Sequence, residues 1–304
     1  MAARALTASP SPMAMLRAQT DGQFLKAARV TMSSATASSY RGSIESDLEA
    51  QLKQVVKVQA PLDVYQPLHH LVFSAPKNLA SALCVAACEA VGGHRSDALT
   101  AAAALHLTHV AAITHEDLLA VPKGHLHSPF GSNIGLLTAD GLISMGIELL
   151  AGSKRIQESG VADDTEDRLV RVLVEITQAI GSQGVVDRQY KEYVTRIEKG
   201  LIRAEKGKFY ACGAACGAIL GGGDEEEVDK LRRCGLLMGM MHETFCTTGG
   251  NVKPRGMQDM AVWRNLALNE LTGFDEMRIQ GISGLLASYT SDQNSEDLES
   301  QSRD

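Results

Sequence analysis

From residue 45 to about residue 290, no stretch of the chain alternates apolar and polar residues as a half-buried strand must. Leucines, alanines and methionines recur instead at spacings of three and four, punctuated by glycine and proline. SDLE (46–49) has capping-box spacing, with Ser46 as the cap and Glu49 three residues on, and opens a periodic run to Val58. A second helix is expected from Pro61, carrying Leu68, Leu71 and Val72 on one face. The alanine-rich stretch 77–91 stops at Gly92–Gly93, as helices stop at a C′ glycine. Another helix runs from Asp97 to about Val121, where Pro122 ends it. Helices are predicted over 133–151, 165–180, 188–206 and 208–220, with Gly221–Gly223 as a stop. DEEE (224–227) places acids on the first turn of a helix reaching about Thr247, where they favour the helix dipole. Segments 256–271 and 275–288 complete one all-α domain of about ten helices over 45–290.

The flanks differ from this core. Residues 1–44 hold Arg4, Arg17, Lys26, Arg29 and Arg41 against the single acid Asp21, and are rich in Ser and Thr. That composition predicts a disordered organelle transit peptide. Removing its net +4 takes the chain from −7 to about −11. SDQNSEDLESQSRD (291–304) contains one apolar residue and reads as a disordered tail. The acidic balance argues against nonspecific nucleic-acid binding. No run of 18 apolar residues occurs, so no membrane span is expected.

Six cysteines in 304 residues do not make a disulfide scaffold, and reduced thiols are the default. Four of them stand in CVAAC (Cys84, Cys88) and CGAAC (Cys212, Cys216). Residues at i and i+4 share a helix face, and the Ala and Gly between them let another backbone come close. A disulfide within one pair is poorly compatible with an intact helix. Core packing, a subunit contact and a four-thiolate zinc site remain open from spacing alone. LTHVAAITHEDLLAV (107–121) gathers His109, His115, Glu116 and Asp117 toward one helix end, where carboxylates could hold Mg²⁺. No HExxH spacing is present for zinc. His69 and His70 read as packing or solvated groups, and Met238, Met240 and Met241 as fillers of core volume.

LCVAACEAVGG (83–93), ITHEDL (113–118), FGSNIGLLTADGLIS (130–144) and GAILGGGDEEEVDKLRRCGLLMGM (217–240) together resemble the trans-isoprenyl diphosphate synthases, most closely those of plants that make geranylgeranyl diphosphate. The order and spacing match over roughly 45–290. The resemblance implies an isoprenoid synthase-type bundle of helices around a deep central cavity, usually dimeric. It also implies two aspartate-rich clusters on facing helices, holding Mg²⁺ ions that neutralise the diphosphate leaving group.

This chain departs from that pattern where the chemistry lies. The first cluster keeps Glu116 and Asp117 but lacks the third aspartate, and His127 and Ser128 stand about where an arginine pair is expected. At the second, His242, Glu243 and Cys246 replace aspartates. Of the basic diphosphate-binding segment APKNLAS (75–81) keeps Lys77, with Asn78 and Ala80 in place of arginines, and Glu205–Lys206 replaces a Lys-Thr pair. Each lost electrostatic stabiliser costs on the order of 10²–10³ in rate, so these sites are expected to be vestigial and the chain to have no catalytic residues and no metal of its own.

Eroded clusters combined with two Cys-x3-Cys motifs resemble the plastid small subunits of heteromeric prenyl diphosphate synthases. The resemblance implies a non-catalytic subunit of a plastid complex. It would bind a catalytic geranylgeranyl diphosphate synthase through Cys84, Cys88, Cys212 and Cys216, with Mg²⁺ held by the partner, and would raise activity or shift product length between C20 and C10. The alternatives are a diverged synthase with weak activity of its own, or a thiol- or zinc-dependent adaptor.

Overall fold

The computed structural model describes residues 34–120, 129–153, 164–195, 199–250 and 252–288. The predicted transit segment up to residue 33, the acidic tail 291–304, and His127 with Ser128 lie outside the described residues. Among the described residues there are eleven helices and no strand. They are α1 (Ser34–Val55), α2 (Leu62–Ser74), α3 (Leu79–Ala90), α4 (Arg95–Ala120), α5 (Ser132–Ala151), α6 (Asp164–Ile180), α7 (Val185–Thr195), α8 (Lys199–Gly221), α9 (Glu225–Thr247), α10 (Pro254–Glu270) and α11 (Gln280–Ala287).

Helix α3 lies at the centre. Every residue but Glu89 is buried, which its all-round apolar composition requires. It packs between α4 and α8, and α9 lies on the far side of α8. Asn78 caps α3 by accepting from the Ala80 amide at 2.8 Å. The acid-rich start of α9 is a full capping box. The Asp224 side chain accepts from the Glu227 amide, and the Glu227 side chain accepts from the Asp224 amide, each at 2.9 Å.

Three boundaries differ from the sequence reading. The helix expected over 188–206 is instead α7, which ends at Thr195, and the start of α8 at Lys199. Ser46 is not a cap, because α1 begins twelve residues earlier at Ser34, inside the segment assigned to the leader. The reason is packing: Ala37 and Ile44 are buried. Between them Tyr40 donates to Glu89, and the Arg95 guanidinium lies 5.4 Å from the Tyr40 ring centroid. Capping-box spacing inside a longer helix was outweighed by these contacts. Near residue 207, where a break was predicted, α8 runs on without one. Gly207 is helical there because a Cβ would stand 3.0 Å from the Leu236 carbonyl oxygen of α9.

Ser132–Ala151, with a mean hydropathy of 1.6, and Glu166–Val194, at 1.2, are long and apolar enough by length and composition to cross a membrane. The expectation of no span rested on unbroken apolar runs, which Asp140 and Glu148 interrupt in α5. In the bundle α5 packs along α4 and α2, burying Ala139, Leu142 and Leu150. The second stretch is two helices, α6 and α7, joined by a turn.

Candidate functional site

The two Cys-x3-Cys motifs face each other. Along α8, Gly213, Gly217 and Gly221 form a row at four-residue spacing. Ala80, Cys84 and Cys88 form the matching row on α3. A Cβ on Gly213 would lie 2.4 Å from the Ala80 carbonyl oxygen, and one on Gly217 would lie 1.9 Å from that of Cys84. At Gly221 the distance to the Cys88 carbonyl oxygen would be 2.7 Å. Two i, i+4 rows therefore interlock at backbone contact, which only glycine on one side permits.

The four thiols are enclosed in that contact: Cys84, Cys88 and Cys216 at 0% exposure and Cys212 at 4%. Cys84 Sγ points toward the Ala98 carbonyl at 3.9 Å and Cys88 Sγ toward that of His94 at 3.4 Å, while Cys212 and Cys216 lie 3.8 Å apart. Burial raises the Cys84 thiol well above its ordinary range. The Cys216 thiol is raised too, first by its hydrogen bond with Cys212 and then by burial. The expected partner-binding thiols thus present no surface in this conformation. Within this chain they are packing elements of the α3–α8 pair.

The vestigial clusters do converge. A pocket of about 60 Å³ is lined by His109 and Glu116 of α4, Arg188 of α7, Lys206 and Tyr210 of α8 and Glu243 of α9. This is far smaller than the deep cavity the resemblance implied, because long side chains fill it. Arg188, 95% buried, donates from Nη2 to Glu116 and from Nη1 to Glu192 at 3.0 Å. Lys206 Nζ stands 3.3 Å from Glu243 and 3.9 Å from Glu116. Tyr210 donates to Glu243 at 2.7 Å, and Gln189, beside Arg188, donates to the Ala112 carbonyl at 2.9 Å. Burial pushes the His109 imidazole down to about 3, so the ring is neutral at physiological pH.

Other predicted members are scattered. Asp117 lies outside the pocket and is exposed; partial desolvation and then neighbouring Glu116 raise its carboxyl. His115 pairs with Asp140 of α5 at 3.2 Å. His242 stacks edge-on with Tyr210, 5.4 Å between centroids, with Cys246 Sγ 3.5 Å from its Nε2. Lys77 pairs with Glu45 of α1 at 2.9 Å, away from the pocket. Met238, Met240 and Met241 are core. Arg188 and Lys206 were missed as site residues. A basic residue at 188 among apolar and aromatic residues (Val185, Val186, Tyr190) was the available signal.

The residues present do not fit a diphosphate-bridging Mg²⁺ cluster. Such a site needs several free carboxylates, whereas Glu116 and Glu243 already face Arg188 and Lys206. Among the described residues no three His, Cys, Asp or Glu side chains are grouped as metal ligands.

No family model matches the chain. It is 41% identical over 265 residues to the chloroplastic heterodimeric geranylgeranyl pyrophosphate synthase small subunit 2 of Cannabis sativa, covering 82% of this chain and 91% of that one. Among solved structures it matches the geranyl diphosphate synthase small subunit of Antirrhinum majus with a TM-score of 0.72 and 41% identity, over 83% of this chain and 98% of that one. It also matches a chain of the heterotetrameric geranyl pyrophosphate synthase of mint with a TM-score of 0.73 and 38% identity, over 82% and 99%. Helical architecture, eroded aspartate clusters and these likenesses agree: the chain belongs to the small-subunit branch of the trans-isoprenyl diphosphate synthase family.

Proposed function

We propose that this chain is a non-catalytic plastid subunit that assembles with a catalytic geranylgeranyl diphosphate synthase and modifies its rate or product length. The observation that carries the reading is the central pocket. Where the chemistry demands metal-bound carboxylates around an open cavity, this chain has carboxylates neutralised by Arg188 and Lys206 around about 60 Å³. That space holds a few waters and excludes a prenyl chain. The partner supplies the Mg²⁺ and the reacting groups.

A docking surface is available on α5, α6 and α7. Ile134, Leu136 and Leu137 of α5, Val170 and Val174 of α6, and Tyr190 and Tyr193 of α7 are exposed. Exposed apolar side chains in such number on neighbouring helices mark an interaction face, and tyrosine is enriched in such interfaces. The relatives' names, which describe heterodimeric and heterotetrameric enzymes, support the same reading.

The test is a three-way assay with Mg²⁺, isopentenyl diphosphate and an allylic diphosphate, resolving product lengths. This chain alone is expected to give no product above background. Its mixture with a catalytic synthase is expected to differ from the synthase alone in rate or in the C10 to C20 ratio. Turnover by the chain alone would overturn the proposal.

A further inference from the structure

The first turns of α1 carry the same buried stripe as the rest of that helix. Ala37, Ile44, Leu48 and Leu52 are buried, and Tyr40 packs against the same core. Their spacing of three and four residues runs through position 45, where composition alone ended the leader. The backbone is one continuous helix across that point.

Tyr40 anchors this segment. Its ring lies against Gly281 of α11, where a Cβ would come within 2.4 Å of the Tyr40 ring and hydroxyl. The hydroxyl donates to Glu89 of α3, and the other Glu89 carboxylate oxygen accepts from Arg95 Nε of α4 at 2.9 Å. Arg95 also donates from Nη1 to Ser43 Oγ at 2.7 Å and to Asp47 Oδ2 at 2.9 Å. One network therefore ties α1 to α3 and α4, with Tyr40 and Ser43 before residue 45 and Asp47 after it. Removing the residues up to 44 would take one partner each from Glu89 and Arg95. It would also open the apolar ground under Tyr40 and Ile44 to water.

We infer that residues 37–44 belong to the mature folded chain, and that the leader is cut on the N-terminal side of Ala37. A cut there leaves the Tyr40 network whole, whereas a cut at residue 44 severs it. The shorter leader keeps its basic, acid-poor character, with Arg4, Arg17, Lys26 and Arg29 against Asp21. The inference rests on the plastid location in the role proposed above, and on neither partner binding nor turnover.

The experiment imports the full-length precursor, tagged at its C-terminus, into isolated chloroplasts and reads the N-terminus of the recovered protein by mass spectrometry. The expected product is a shortened chain whose first residue is Ala37 or an earlier one. A first residue of Ser38 or later overturns the inference and leaves the plastid leader standing. Recovery of the uncut chain alone overturns both, so the two failures are distinguishable. In the purified full-length chain, Tyr40→Ala is expected to lower the melting temperature by at least about 5 °C. Tyr40→Phe, which keeps the ring, should lower it by less. An unchanged melting temperature in Tyr40→Ala would show that the start of α1 lies outside the folded unit, and would overturn the inference as well.

Discussion

Arg188 on α7 donates its guanidinium to the carboxylate of Glu116 on α4, 72 residues earlier in the chain. The contact joins two helices through the eroded first aspartate cluster. It turns a site for mobile cations into one with a fixed internal cation. Glu116 is thereby held by charge and geometry at once, with Lys206 of α8 as a second, looser neighbour.

Because Arg188 is nearly fully buried, removing one partner leaves an uncompensated charge inside the bundle. Arg188→Met is expected to destabilise the chain by about 3 kcal/mol, read as a lower urea midpoint at unchanged m-value. Arg188→Met combined with Glu116→Gln should recover part of that loss. A double mutant no more stable than Arg188→Met alone would show that the pair is not coupled.

Acid sensitivity follows from His109. Its imidazole is held near 3 in the fold against an ordinary 6.5, mainly by burial, and His242 is held near 4 for the same first reason. Between those values the unfolded chain binds protons that the folded chain does not. Stability is therefore full above about pH 6.5 and falls as the pH drops toward 3, by up to about 1.4 kcal/mol per pH unit for each group. His109→Gln should flatten the decline in melting temperature between pH 6 and pH 4. An unchanged slope would place the acid sensitivity elsewhere.

The α3–α8 contact tolerates no side chain on its glycine row. A methyl at Gly217 would stand 1.9 Å from the Cys84 carbonyl oxygen, a backbone atom that cannot rotate away. Gly217→Ala is expected to cost at least about 2–3 kcal/mol despite its better helix propensity. The same change at Gly135, where a Cβ meets nothing within 4 Å, serves as the control and should be neutral or stabilising. Thermal unfolding of both variants checks the contrast.

Thiol accessibility gives a count. Five cysteines are buried and Cys246 is exposed; burial also pushes the Cys234 thiol up to about 12. A native-state reaction with Ellman's reagent should therefore release close to one equivalent, rising to six in denaturant. Rapid native labelling of Cys84 or Cys212 would show that the α3–α8 seam opens.

If the exposed apolar residues of α5 and α7 contact the catalytic partner, Leu137→Asp and Tyr193→Asp should each weaken complex formation at least tenfold. Neither side chain supports the core, so the melting temperature should stay within a few degrees. Co-purification at wild-type yield by the double variant would move the interface away from this face.

Much of the helical inventory was legible because periodicity, Gly92–Gly93 and DEEE are local signals with local causes. The errors at Ser46 and Gly207 share one origin. Capping spacing and glycine are both ambiguous until a neighbouring helix is known, and here Glu89 and Leu236 supplied the missing information. Among the site residues, Glu116 and Glu243 could be placed from their motifs. Arg188 could not, since its role depends on a partner 72 positions away.

The sequence by itself determined that the chain is helical, that its aspartate clusters are eroded, and that its Cys-x3-Cys pairs each share one helix face. These follow from residue type and spacing of three or four. Only the tertiary structure decided what those faces meet. It set the cysteines of α3 against the glycine row of α8, turning a candidate contact surface into a buried seam. It also brought Arg188 and Lys206 to the old metal position, because burial and opposite charge act between helices that are distant in sequence.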